Sequence, residues 1–289
     1  MNSLLTADSG ARLDRLSIST FHRRIMLLIG TGMFFDGLDI YVAATVLGAT
    51  LKSGFSTMGQ NAQFMSVTFV GMMLGSFLTG FLGDRYGRRF TCQANLAIFG
   101  LASIASAFAP SMTVLTLLRL VMGVGLGAEN VVGYSTMTEF VPPQARGKWL
   151  GGMNVIVVSG VPVAALLGTL IIPHFGWRAM FALGGLGALA VWYLRKLLPE
   201  SPRWLESVGR TAEAEALLQS IESEDSLPHG PLLPPVTRSP AHPSTSLASL
   251  LIPVLLPRMI VGATTLIVIN TLIFGFVTWL PSFFVQRRG

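Results

Sequence analysis

The sequence predicts an all-α integral membrane protein with seven transmembrane helices. Three observations lead there. Hydrophobic residues make up 51% of the 289 and charged residues 12%, where a soluble domain carries about 25% charge. Mean hydropathy is +0.62. Apolar runs of about 20 residues, the length that crosses a bilayer as a helix, recur along the chain at 25–50, 62–83, 91–109, 113–138, 150–173, 178–198 and 256–284.

In chain order, residues 1–24 form a polar N-terminal segment bearing Arg12, Arg15, Arg23 and Arg24. The first apolar run is too long for the core of a signal peptide and reads as an uncleaved span. Short turns then join six spans over 25–198. Residues 199–255 form a polar connection that opens Pro199-Glu200-Ser201-Pro202-Arg203-Trp204-Leu205. Near 203–222, Leu205, Val208, Leu217, Leu218 and Ile221 recur among acids and arginines, as in an amphipathic helix at the membrane surface. Pro228, Pro231, Pro234, Pro235, Pro240 and Pro243 follow and suggest a flexible linker. The seventh span occupies the last segment, 256–289.

The net charge of +6 is organised by topology and does not point to nucleic acid. Arg12, Arg15, Arg23, Arg24, Arg85, Arg88, Arg89, Arg146, Lys148, Arg195, Lys196, Arg203, Arg210, Arg238 and Arg258 all fall on one side of a seven-span layout. Lys52, Arg178, Arg287 and Arg288 fall on the other. The basic excess predicts a cytoplasmic N-terminus, and the expected location is a cell membrane, the plasma membrane or a bacterial inner membrane. The one cysteine, Cys92, has no partner for an internal disulfide.

Charge inside a span is costly, about 2.5–3.5 kcal/mol at the bilayer centre, so such residues are expected to work. Four stand out: Asp36, Asp39, Arg119 and Glu129. Asp36 and Asp39 are three apart and share a helix face. Two acids so close do not both ionise readily in a low dielectric, which suits a proton carrier. At about 1.5 Å of rise per residue, Asp39 and Arg119 lie within roughly 6 Å in depth, a gap that two side chains can bridge. Glu129, about 15 Å along its helix from Arg119, is read as a second protonatable site or a substrate contact. Gly71 and Gly75, the run Gly123, Gly125, Gly127, and Gly184, Gly185, Gly187 suggest close helix packing.

Between the second and third spans lies Gly80-Phe81-Leu82-Gly83-Asp84-Arg85-Tyr86-Gly87-Arg88-Arg89. This G-x-L-x-D-R-x-G-R-R pattern resembles the major facilitator superfamily of transporters. Arg119 through Gly125 resembles that family's fourth-span R-x-x-x-G-x-G, and Glu139, Pro142, Arg146 and Gly147 its E-x-x-P-x-x-x-R-G loop. The P-E-S-P-R-W-L run is similar to the sugar-porter branch. The D-G-x-D of Asp36 and Asp39 resembles the aromatic-acid:proton symporters. The resemblance covers nearly all of 20–289 but only seven of twelve expected spans. It therefore implies a six-helix N-terminal bundle plus a seventh helix, with the C-terminal six-helix half missing, as in a fragment or a truncated gene. It also implies that protonation of Asp39 releases its pairing with Arg119. Gly80, Asp84, Arg85, Gly87, Arg88 and Arg89 become a gating motif, with Asp84 and Arg88 as its pair.

The expected function is secondary active transport: proton-coupled symport of a small organic acid or sugar-like metabolite. An antiporter and a non-transporting remnant are the alternatives. The expected partners are that substrate, protons, the lipid bilayer and the missing half. No cofactor, metal site or enzyme activity is expected. His22, His174, His229 and His242 fall in connections or at span edges, and no H-E-x-x-H, G-x-S-x-G or nucleotide-binding loop occurs. Tyr41, Gln63, Asn130, Tyr134, Asn154 and Asn270 could line a cavity, and Trp279 of a W-L-P pattern suits an interfacial belt.

Overall fold

The computed structural model describes residues 8–229, 253 and 255–288. It divides into two compact units, Met1–Val236 and Thr237–Gly289. The second contains one long helix, α11 (Leu256–Arg288). The linker prolines from Pro231 to Pro243 and Arg238 lie outside the described residues, as do the side chains of Trp279, Arg287 and Arg288.

The first unit is helical throughout its described length. A short α1 (Ser9–Asp14) precedes α2 (Thr20–Lys52), α3 (Met58–Tyr86), α4 (Arg88–Ala107) and α5 (Met112–Phe140). Polar caps mark the starts. Asp8 Oδ1 accepts from Ala11 N at 3.1 Å. Thr57 and Gln60 bond reciprocally at the head of α3, satisfying amides that the first turn leaves open. The fifth predicted span is two helices, α6 (Pro143–Val158) and α7 (Gly160–Phe175). Pro162 lacks the amide hydrogen that would continue the first helix's ladder, so the break falls just before it. The sixth span is α8 (Arg178–Leu194), extended by a 3-10 turn, Arg195–Leu197. Among the described residues, six helical stretches are long and apolar enough to cross a membrane. At 17 residues α8 is about 25 Å long.

Helix α5 packs on α3 and α4, α4 on α8, and α2 on α5, α6, α7 and α8. Glycine makes the closest contacts. A Cβ on Gly71 would lie 3.0 Å from Gly123 Cα, and one on Gly123 would lie 3.1 Å from Gly71 Cα. The two backbones thus touch along α3 and α5, the packing role expected of small residues. Gly37 and Gly160 do the same where α2 meets the α6–α7 break: a Cβ on Gly160 would lie 2.6 Å from Leu38 N. That sets the Gly37 face of α2 against α6 and α7, and Asp36 and Asp39 of the same helix are buried.

At the end of the bundle that carries the charged turn, α9 (Pro202–Ser207) and α10 (Thr211–His229) follow the sixth span. Leu218 and Ile221 of α10 are buried against Leu13, Phe21, Phe140 and Met153. The amphipathic segment therefore spends its apolar face on the protein's own bundle, and Val208 alone of the five predicted apolar positions is exposed. Helix α10 continues through Pro228, where the sequence suggested a linker.

Charge fastens this layer. Arg12 reaches Glu215 at 2.6 Å and Glu222 at 2.6 Å, and Arg15 reaches Glu222 at 2.5 Å. Asp14 pairs with Arg146 at 3.1 Å and Arg203 at 2.9 Å. Burial pushes the Glu222 carboxyl up, but hydrogen bonds from Arg12 and Arg15 outweigh it and hold the group below its usual range. A carboxyl depressed in the folded state stabilises fully above its unfolded value, about 4.3. That contribution disappears as pH falls through the depressed folded value. Protection of the α10 amides, measured against the unfolded-chain exchange rate at the same pH, is accordingly expected to fall when pH drops below about 4, and a Glu222→Gln variant should lose that acid response.

Candidate functional site: buried charge pairs and a charged turn

Asp39 and Arg119 meet inside the bundle, 5% and 0% exposed. The guanidinium Nη1 donates to Asp39 Oδ2. Arg119 Nε donates to Thr68 Oγ1 of α3 at 3.0 Å, and its Cζ lies 5.1 Å from the Phe64 ring centroid. The α3–α5 glycine seam brings Thr68 this close. A small cavity lined by Leu38, Asp39, Val42, Leu167, Met180, Leu183 and Gly184 reaches the carboxylate from between α2, α7 and α8. A pair so enclosed is held by Coulomb attraction in low dielectric. Protonating the carboxylate would remove that attraction and free the arginine.

Of the other two interior acids, Glu129 meets a base that its sequence position places among the cytoplasmic-side basic residues. Arg195 is fully buried and forms an ion pair with Glu129 of α5. It also donates from Nε to Leu28 O at 2.8 Å and from Nη2 to Ile29 O at 2.6 Å. The sequence alone only counts it among the basic residues of the cytoplasmic side. The small face at Gly32 lets the side chain run inward along α2 instead. The signal that could have found it was the unmatched Glu129: a mid-span acid calls for a base. Asp36 is 1% exposed, and neither of its carboxyl oxygens has a hydrogen-bond partner among the described residues.

The charged turn is tied down within the bundle. Arg88 bonds Asp84 at 2.8 Å and Glu139 at 2.9 Å. Glu200 Oε1 accepts from the backbone amides of Arg88 at 2.8 Å, Arg89 at 3.1 Å and Ser201 at 2.9 Å, placing a carboxylate on the N-terminus of α4 where the helix dipole favours it. Gly87, at φ +94°, allows the turn: a Cβ there would sit 2.8 Å from the Glu200 carboxyl carbon. Trp204 Nε1 donates to Asp84 O at 2.9 Å, and Arg89 Nη2 to Lys196 O at 2.8 Å. The two sequence runs that looked like separate signatures, the turn at 80–89 and the P-E-S-P-R-W-L run, are thus one contact. Arg85 lies 5.7 Å from the Tyr86 ring, and Gly80 faces open space.

Of the candidate cavity polar groups, Asn130 and Asn270 donate to carbonyls four residues back in their own helices. Gln63 and Asn154 are exposed, and Tyr41 and Tyr134 half-buried. Among the described residues no cluster of side chains suits a metal ion.

A family model described as "Sugar (and other) transporter" matches residues 25–280. The chain is 36% identical over 283 residues to an Escherichia coli K12 protein named inner membrane metabolite transport protein YdjE, covering 96% of this chain and 63% of that one. It is 36% identical over 221 residues to the niacin transporter NiaP of Acinetobacter baylyi, covering 76% of this chain and 50% of that one. The chain thus spans roughly half to two thirds of the length of these relatives. Among solved structures, the major facilitator superfamily proton:xylose symporter XylE, bound to 6-bromo-6-deoxy-D-glucose, superposes with a TM-score of 0.60 at 22% identity, covering 73% of this chain and 54% of that one. At that identity the likeness concerns the fold.

Proposed function

Since this chain belongs to the sugar (and other) transporter family, a family of multi-pass membrane transporters, we propose that it supplies the first six-helix half, and one further helix, of a proton-coupled symporter. Its substrate is a small organic acid or a sugar-like metabolite, moved by alternating access. The N-terminus lies in the cytoplasm, on the side of the basic connections. Residues 199–255 link the first bundle to the seventh helix, and the partner is a second six-helix half. Substrate sites in this fold lie between the two halves near the membrane midplane, so a complete substrate site takes groups from both. The proposal describes a carrier and no enzyme.

The observation that supports coupling is the buried Asp39–Arg119 pair. A proton arriving on Asp39 neutralises it, frees Arg119 for an anionic substrate, and lets both cross together. The relative named for niacin, a small carboxylic acid, favours the organic-acid side of the substrate class. In this reading Asp84, Arg88, Glu139 and Glu200 form the latch that holds the cytoplasmic face closed in the outward-open state, and Gly80, Arg85, Gly87 and Arg89 shape and flank its turn.

The test joins the chain to the second half of a close relative and follows labelled substrate in vesicles. Asp39→Asn is expected to abolish accumulation driven by a proton gradient while counterflow exchange continues. Accumulation that survives the substitution sinks Asp39 as the coupling acid. Exchange driven by substrate in the opposite direction to protons would point to the antiporter reading.

A further inference from the structure

The membrane-spanning helices and the turn after α8 bury three acids, Asp36, Asp39 and Glu129, against two bases, Arg119 and Arg195. Asp39 takes Arg119 and Glu129 takes Arg195. Asp36 has no ion pair among the described residues, and neither its carboxyl oxygens nor those of Glu129 make a hydrogen bond there. Three acids against two bases leave one carboxyl without a cation, and an ionised carboxylate so buried and unpaired is costly.

The neighbours of Asp36 decide what a proton there can do. The Arg195 guanidinium lies against Gly32, where a Cβ would come within 2.6 Å of its Cζ. Gly32 and Asp36 are four residues apart, hence on one face of α2, one turn from each other. Arg195 therefore runs along the face of α2 that carries Asp36, and its ion pair is with Glu129 of α5. The charges and titratable groups acting on this cluster are Glu129 of α5, Arg195, Asp39 of the same helix and Cys92 of α4. The cluster sits toward the charged end of the bundle: Glu129 is ten residues, about 15 Å, past Arg119 along α5.

We propose that Asp36, Glu129 and Arg195 form a second proton site, distinct from the Asp39–Arg119 pair, in which one proton is shared by two carboxyls beside a single arginine. In one state, with the pairing the structure has, Arg195 faces Glu129 and the proton is on Asp36. In the exchanged state the Asp36 O–H bond breaks, an O–H bond forms on Glu129, and Arg195 faces the Asp36 carboxylate. Proton number and net charge are the same in both. Arg195 is the positioning residue, since its choice of partner decides which acid is neutral. The site rests on the transport reading and deepens it by giving the proton a stop between Asp39 and the charged end, and its test reads the proton without transport.

The purified chain in lipid nanodiscs is examined by infrared spectroscopy at neutral pH, in water and in heavy water, for the carbonyl stretch of a buried protonated carboxyl. The wild type is expected to show this band and Asp36→Asn to lose one carboxyl of intensity. Glu129→Gln is expected to lose it as well, although Asp36 is untouched, because Asp36 then becomes the counterion of Arg195. A merely structural Glu129 would leave the band in place. Absence of the band in the wild type, its persistence in Asp36→Asn, or its survival in Glu129→Gln overturns the proposal. If Asp36→Asn does not fold, the wild-type and Glu129→Gln spectra still decide it. Loss of coupling through Asp39 would fail in the vesicle assay and leave these spectra unchanged.

Discussion

Arg119→Leu is expected to destabilise the folded bundle by about 3–5 kcal/mol, the usual cost of removing one member of a buried ion pair. The size follows from what stays behind. Asp39 is 5% exposed and would lose its one cation. Thr68 Oγ1 would lose the donor on Nε, and the Phe64 ring would lose the cation beside it. The double variant Asp39→Leu, Arg119→Leu is expected to recover most of the loss, because it leaves no unmatched charge and well-packed apolar pairs can replace buried ion pairs at little cost. Unfolding of the three variants in mixed micelles measures both halves of the cycle. A single variant within about 1 kcal/mol of wild type would show that water reaches the pair and screens it.

Gly75→Leu is expected to separate α3 from α5 at a cost of about 3 kcal/mol or more, the upper end for overpacking a tight interior. A Cβ at Gly75 would meet the backbone of Val124, with the carbonyl carbon 2.7 Å away, and backbone does not step aside as a flexible side chain does. The damage should reach the ion pair, since the same seam carries Thr68 to Arg119. Gly80→Leu, further along α3 toward the charged turn, is the control within the same helix: nothing lies within 4 Å of a Cβ there. Thermal unfolding in detergent should fall sharply for the first substitution and stay near wild type for the second. Equal effects would remove the seam from the explanation.

Much of this arrangement is legible in the sequence because it depends on short-range rules. Apolar run length sets the helices, and depth counting along two helices of opposite direction brings Asp39 level with Arg119 without any knowledge of packing. Glycine spacing marks α3 and α5 as helices that pack closely, and the structure sets them against each other. Arg195 is not legible in the same way. Its position just past a span reads as one more basic residue of the cytoplasmic side, and only the small face at Gly32 and the carbonyls of Leu28 and Ile29 turn it inward. Glu200 is equally hidden: it looks like part of a loop signature, yet it accepts from the amides that open α4, 111 and 112 residues away.

The sequence by itself determined the solvent and the scaffold: an all-helical membrane protein whose interior carries acids and bases at known depths. These follow from hydropathy, periodicity and helical rise, which are properties of a chain's own neighbourhood. Only the tertiary structure decided that Glu129 meets Arg195 and that Asp36 goes without a partner among the described residues. Partner choice depends on where small residues let helices approach and which way a long guanidinium can reach, and those are contacts between segments far apart in the chain. Asp36 is left over for that reason: its lack of a partner comes from Glu129 having taken Arg195.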